Sequence, residues 1–235
     1  MISVIIPTFN EQEQIGSTIR RLRQAAGKQP IEIIISDGGS SDLTLVEATK
    51  AGADAVFESQ KKGRAAQMNY GASKANGTIL YFLHADTIPP DSFASSIAKS
   101  IQNNEAGCFR LAFDHQHWFL EVCSWFTRFD LNFFRFGDQS LFLRAESFRA
   151  IGGFNEALHI MEDQEIIYRL KRNTRFKIIP QSVITSARKY VDNGIFKTQS
   201  IFLLLFLLYK IGVSQQKLAA IYHRLIPQKK ITAIV

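Results

Sequence analysis

Cysteine is scarce. The 235 residues include only Cys108 and Cys123, whose spacing suits neither a redox pair nor a zinc knuckle, so a disulfide framework is excluded and both are read as buried thiols in a reducing compartment. Six Pro and fourteen Gly occur at ordinary frequency and form no tract, which excludes collagen-like and linker-like chains. No apolar run reaches the roughly twenty residues of a spanning helix; the longest, Ile201 to Tyr209, lies between Ser200 and Lys210. Behind Met1 the sequence lacks the cationic start and small-residue cleavage site of a signal peptide. A cytoplasmic protein, or one at the cytoplasmic face of a membrane, is expected.

Acidic residues are almost missing from the end of the chain. From Arg188 onward Asp192 stands against eight Lys and Arg, which accounts for the whole net charge of +7 and leaves the first 187 residues neutral. A diffuse basic surface for nucleic acid is therefore not supported, whereas a basic C-terminal module is. What is present is core-forming material. At 46% hydrophobic and 21% charged, the chain is long enough to bury a full core and is not a disordered one.

The first third alternates strands with helices. Ile2 to Pro7 and Ile31 to Ser36 are continuous β-branched runs, the pattern of strands covered on both faces. Ala53 to Glu58 and Thr78 to Leu83 supply two more strands. Between them, Asn10 with Glu13 can cap a helix striped by Ile15, Ile19 and Leu22, Ser41 or Asp42 can cap a second, and Ala65 to Lys74 forms a third. Right-handed crossovers turn this βαβαβαβ order into a doubly wound, mostly parallel, Rossmann-like α/β sheet with ligands at the carboxyl ends of its strands. Further along, strands are expected near Cys108 to Phe113, Ser140 to Leu143, Phe176 to Ile179 and Val183 to Ser186. Helices are expected near Trp118 to Phe129 and Glu162 to Arg172, and two more in the tail, broken near Gly212.

Polar residues gather at the predicted strand ends: Thr8, Asn10 and Glu11 after the first, Asp37 after the second, His84 and Asp86 after the fourth. Asp37, in SDGGSSD, can project from the sheet edge or merely shape the turn. Asp86 can bind a hard cation, since Mg²⁺ typically takes one or two protein carboxylates plus phosphate oxygens; the alternative is a surface turn acid.

IIPTFNE (5–11), SDGGSSD (36–42), KGRAAQMNYGA (62–72), LHADT (83–87), GGFNE (152–156) and MEDQE (161–165) occur in the order found in family-2 glycosyltransferases of the GT-A fold, which the chain resembles from residue 1 to about 190. The LHADT motif resembles a bacterial branch of that family with a short hydrophobic tail. The resemblance implies a GT-A domain over residues 1–190, a helical C-terminal extension over 191–235, a nucleotide-sugar donor with UDP first, and inverting transfer. Pro7, Thr8, Asn10 and Glu11 then match the first nucleotide-contacting loop, and Asp37, beside Gly38, the acid facing uracil or ribose. Asp86 matches the last acid of the Asp-X-Asp motif, which holds Mn²⁺ or Mg²⁺ against the diphosphate. Asp163, paired with Glu162, matches the general base; its alternative is a helix-capping acid.

The sequence departs from that pattern at His84, which replaces the first acid of Asp-X-Asp. Imidazole suits Mn²⁺ better than Mg²⁺, and the residue can instead bond to the nucleotide or pack. No Gln-X-X-Arg-Trp follows MEDQE, so processive polysaccharide synthases are a poor guide. Arg64 and Arg188 are candidate diphosphate clamps; Lys189 reads as surface charge. Trp118, Trp125 and the neighbouring Phe residues can line an acceptor pocket or pack in the core.

In the tail, Ile201 to Tyr209 is apolar all round, and Leu218, Ile221, Tyr222 and Leu225 form a stripe opposed by Lys217, His223 and Arg224. That pattern leads us to expect a peripheral membrane contact near a lipid-linked or amphiphilic acceptor, or a homodimer contact through residues 195–226, with burial in the protein's own core as the alternative. Two rival readings are a nucleotidyltransferase, which would need Gly and Arg in the Thr8 to Gln14 loop, and a non-catalytic membrane-associated scaffold.

Overall fold

A computed structural model describes residues 1–131 and 139–227. Its first half has the predicted alternation: β1 (Ile2–Thr8), α1 (Ile15–Ala26), β2 (Ile31–Asp37), α2 (Thr44–Lys50), β3 (Ala55–Glu58), α3 (Arg64–Lys74) and β4 (Ile79–Phe82). There follow β5 (Thr87–Ile88), α4 (Phe93–Ile101), β6 (Ala106–Phe113), α5 (Trp118–Phe126), β7 (Leu141–Arg144), α6 (Ala145–Ala150), α7 (Glu162–Asn173) and β8 (Phe176–Thr185). The tail holds α8 (Arg188–Asn193), α9 (Ile195–Lys210) and α10 (Gln215–Leu225).

Among the described residues one eight-stranded sheet runs β3-β2-β1-β4-β7-β6-β8-β5. β1 to β4 are mutually parallel, β7 runs against both β4 and β6, and β6 pairs in parallel with β8. Alternate residues of β1 feed opposite faces. Val4 and Ile6 pack with Ile15, Ile19 and Leu22 of α1 and Phe93 and Ile97 of α4. Ile5 packs with Met68 of α3, Phe148 of α6 and Ile166 and Leu170 of α7. This is why the two leading strands lack the polar alternation of a half-exposed sheet. Each side chain fully buried there contributes roughly 1.5–3 kcal/mol. Gly71 lets α3 approach, since a Cβ at that position would lie 2.6 Å from Ile5 Cγ2.

Three sequence expectations are corrected. Asn10 does not cap α1: the helix starts at Ile15 with no side-chain cap, because Asn10 adopts φ 55° and its Oδ1 accepts from Ser41 N–H at 2.9 Å. The two strands expected over residues 176–186 are one, β8. Its partner register slips between Phe109 and Arg110, passing over Pro180 and Gln181, where proline has no N–H to give the ladder. The helix expected to reach Phe129 ends at Phe126, where Thr127 takes over the last carbonyls. In addition, β5, α4, α6 and α8 were not anticipated.

The tail forms two long helices broken at Gly212 (φ 82°). Ile201 and Leu205 of α9 pack with Leu218 of α10 and Ile226, against Ile160 and Met161. Gln215 Oε1 accepts from His159 and Ile160 N–H at 3.0 and 3.1 Å, tying α10 to the loop that leads into α7. Among the described residues no helix is long and apolar enough to cross a membrane.

Candidate functional site

The site lies where the parallel strands end. Asp37 closes β2 at 0% exposure. Its Oδ1 accepts from Thr8 Oγ1 (2.8 Å) and Ser40 Oγ (2.6 Å), and its Oδ2 from the N–H groups of Gly39 (2.9 Å) and Ser40 (2.6 Å). A carboxylate has about four acceptor positions, and all are used inside the protein. Its carboxylate thus shapes the loop from within, and the contact with a base or ribose that the resemblance implies for it belongs to the proposed function. Gln67 completes the frame from α3, its Nε2 donating to the Thr8 carbonyl at 2.7 Å and the Ser36 carbonyl at 2.9 Å.

On that frame the loop after β1 is laced to the loop after β2. Asn10 N–H donates to Ser40 Oγ and Glu11 N–H to Thr44 Oγ1, both at 2.8 Å, and Gln12 N–H donates to Asp42 Oδ2 at 3.3 Å. Gly38 N–H bonds to the Thr8 carbonyl at 2.9 Å, with the Gln67 amide 2.9 Å from where a Cβ would sit. Phe9, between Thr8 and Asn10, leaves its ring 57% exposed at this edge.

Asp86 joins the same neighbourhood from the loop after β4. Burial raises the Glu11 carboxyl above its usual range, and the Asp86 charge adds to the rise, while Arg188 and Lys189 oppose it. Asp86 is held by β8, Ser186 N–H donating to its carbonyl at 3.2 Å, and Arg188 opens α8 two residues later. Two carboxylates thus face two cations at one edge of the sheet.

A second cluster adjoins it. Glu162 and Asp163 open α7, where acids complement the helix N-terminus. Arg64, the first residue of α3, has its Nη1 3.3 Å from Glu162 Oε1 and 3.9 Å from Asp163 Oδ2. Glu162 is buried and its carboxyl is pushed up to about 7, first by desolvation and then by Asp163; Arg64 and His84 pull the other way. His84 and Asp163 share a small crevice with Met68, Phe82, Ser140 and Leu141.

The segment 84–86 therefore links the two clusters, His84 acting on the acid pair and Asp86 on Glu11. Pro7, Thr8, Asn10, Glu11, Gly38, Asp86 and Arg188 lie at or flank the first cluster; Arg64, Glu162, Asp163 and His84 form the second. Sequence reading missed Gln67 and Phe9. Both lay inside strings the family resemblance rests on, Gln67 in KGRAAQMNYGA and Phe9 in IIPTFNE, with no local signal that set either apart from its neighbours. Among the described residues no three ligating side chains gather, so a divalent ion at Asp86 would take further ligands from a diphosphate and water. One half-buried carboxylate with a second nearby fits that chemistry for Mn²⁺ or Mg²⁺.

The chain matches the family described as glycosyl transferase family 2 over residues 3–155. It is 30% identical over 97 residues to a glucosyl-3-phosphoglycerate synthase of Mycolicibacterium smegmatis, covering 38% of this chain and 32% of that protein. The chain thus matches about a third of the length of this curated relative. Its fold resembles the mannosyltransferase PcManGT of Pyrobaculum calidifontis in complex with GDP-Man and Mn²⁺, at a TM-score of 0.70 and 16% identity, covering 94% of this chain and 69% of that one. It also resembles the glucosyl-3-phosphoglycerate synthase of Mycobacterium tuberculosis in complex with Mn²⁺, UDP and phosphoglyceric acid, at a TM-score of 0.61 and 17% identity, covering 91% and 79%. With the matched residues spanning β1 to β4 and the loops that follow them, the chain belongs to glycosyl transferase family 2, on the GT-A fold.

Proposed function

We propose that the protein transfers a sugar from a nucleoside diphosphate donor, UDP-sugar first, to an acceptor hydroxyl with inversion. The observation that carries this reading is the 84–86 segment, which sets a donor-side group of acids and cations directly beside an acid pair on α7. Complexes of structural neighbours with UDP or GDP-Man lend support.

In this reading the loops after β1 and β2 bind the nucleoside, with the Phe9 ring as a stacking surface for the base. Arg188 and Lys189 meet the diphosphate. Asp86 would hold a divalent cation that neutralises charge on the departing diphosphate. Asp163 takes the proton of the acceptor hydroxyl as its oxygen bonds to the anomeric carbon and the bond from that carbon to the diphosphate oxygen breaks. Glu162, half ionised near neutral pH, tunes Asp163, and Arg64 orients both. His84, placed against the acid pair, is assigned to that pair and not to the metal. The acceptor is proposed to be amphiphilic or lipid-linked, in keeping with the exposed aromatic surface of α5.

The test is a thermal-shift screen of UDP- and GDP-sugars with and without Mn²⁺, followed by assay of slow donor hydrolysis with the best binder. A metal-dependent rise in melting temperature is expected. Absence of any shift with every donor would favour the non-catalytic scaffold.

A further inference from the structure

The helix α9 is apolar on both sides, and the fold uses only one of them. Thr198, Ile201 and Leu205 face inward, while Phe196, Leu203, Leu204, Leu207 and the following Ile211 stay 41–76% exposed. At about 100° per residue these five, with Ser200, occupy a single arc about 100° wide, and Lys197 and Lys210 fall on its two borders. A helix of sixteen residues is too short to span a bilayer, yet leaving such a stripe in water is costly.

A second helix continues the stripe. Phe196 contacts the rings of Trp118 and Phe119 at 6.0 and 4.7 Å between centroids, which joins the start of α5 to the start of α9. On α5, Trp118 (63% exposed), Val122 and Trp125 also face outward, and Arg128 stacks on the Trp125 ring at 4.6 Å. Both tryptophans of the protein therefore lie on this one surface. Glu121 is the only acid on the two helices. The neighbouring α8 carries Arg188 and Lys189, and its Tyr190 packs on Phe113 and Phe202, so the stripe begins beside the donor-side cations.

We propose that the exposed faces of α5 and α9 form one docking surface for an anionic lipid bilayer, with the aromatic and leucine side chains entering the headgroup region and the bordering cations meeting lipid phosphates. Tryptophan amid basic residues is the composition that lies in such an interface. The charge argues against a second copy as occupant: a two-fold contact would set the Lys197 and Lys210 borders against an equally basic copy. The surface stands independently of the transfer reaction, and its test uses no nucleotide.

The full chain is mixed with vesicles of phosphatidylcholine, with or without about a third phosphatidylglycerol, and followed by co-sedimentation and tryptophan emission. Partition to the anionic vesicles with a blue shift is expected, weakened by salt. The double variant Leu204→Glu/Leu207→Glu, at positions already exposed, should keep the wild-type melting temperature and lose at least about tenfold in partition. Failure of the wild type to bind anionic vesicles, or equal binding by the variant, overturns the proposal. So does concentration-dependent dimerisation that buries the tryptophans without lipid.

Discussion

Arg64 Nη1 sits 3.3 Å from Glu162 Oε1, joining the first turn of α3 to the first turn of α7 across 98 residues of chain. The glutamate is buried and titrates at about 7, and the guanidinium is one of the influences holding it that low. Replacing Arg64 with alanine should therefore raise the Glu162 pKa further. The acidic limb of the pH profile of donor hydrolysis is expected to move to higher pH, and an unmoved limb would show that this pair does not govern the reaction.

The same carboxyl makes stability depend on pH. Its folded pKa lies above the unfolded value of 4.5, so between these values the folded state binds more protons and stability falls as pH rises from about 4.5 to about 7. Glu162→Gln removes that loss. Thermal melting should show the variant gaining on the wild type at pH 8, by up to about 3 kcal/mol, with the gain shrinking as pH falls from about 7 to about 4.5 and absent below that.

Asp163 and Asp86 are expected to fail differently. Asp163→Asn should lower turnover by about 10²–10⁴-fold while donor still raises the melting temperature. With Asp86→Asn the Mn²⁺-dependent part of that shift should itself shrink. Full turnover by the Asp163 variant would remove its assignment as base.

Phe9 exposes its ring beside the loop bonds made by Asn10 and Glu11. Phe9→Ala should leave the melting temperature within about 0.5 kcal/mol of stability yet weaken nucleotide binding by roughly tenfold, equivalent to about 1.4 kcal/mol of stacking. Calorimetric titration with the free nucleoside diphosphate measures this directly.

Gly107 lies in β6 between two partners, and a Cβ there would run into the Lys177 carbonyl oxygen of β8 and the Phe142 ring of β7. Because backbone stands on one side, Gly107→Ala must displace a strand. A loss of more than about 3 kcal/mol in denaturant unfolding is expected.

How far the sequence could be read depended on which forces were local. The runs 2–7 and 31–36 announce buried parallel strands because both faces of each are covered, and residue type alone records that. Asp37 was ambiguous for the opposite reason. A sheet-edge acid beside glycines looks the same whether it faces a ligand or is consumed by Thr8, Gly39 and Ser40, and only the fold of the turn decides. Gln67 could not be singled out because its two acceptors, the carbonyls of Thr8 and Ser36, lie 59 and 31 residues away in the chain. The order of the motifs, by contrast, was visible from the start, and it brought the 84–86 and 162–163 segments into one reading before their proximity was known.

One strand pair sets a schedule for the whole molecule. β5 is only Thr87 and Ile88, and its ladder partners are Thr185 and Ile184 of β8, with the two threonine hydroxyls 3.0 Å apart. The parallel half of the sheet draws on residues 2–82 and can assemble early in synthesis, with Thr18 Oγ1 of α1 already able to hold the Ala85 carbonyl (2.6 Å), but the second anchor of the loop bearing Asp86, on β8 and Ser186, exists only when the chain has been made through Ser186. On the proposed function, a nascent chain stopped before that point would have the loops after β1 and β2 in place while the β5–β8 ladder beside Asp86 was still unmade.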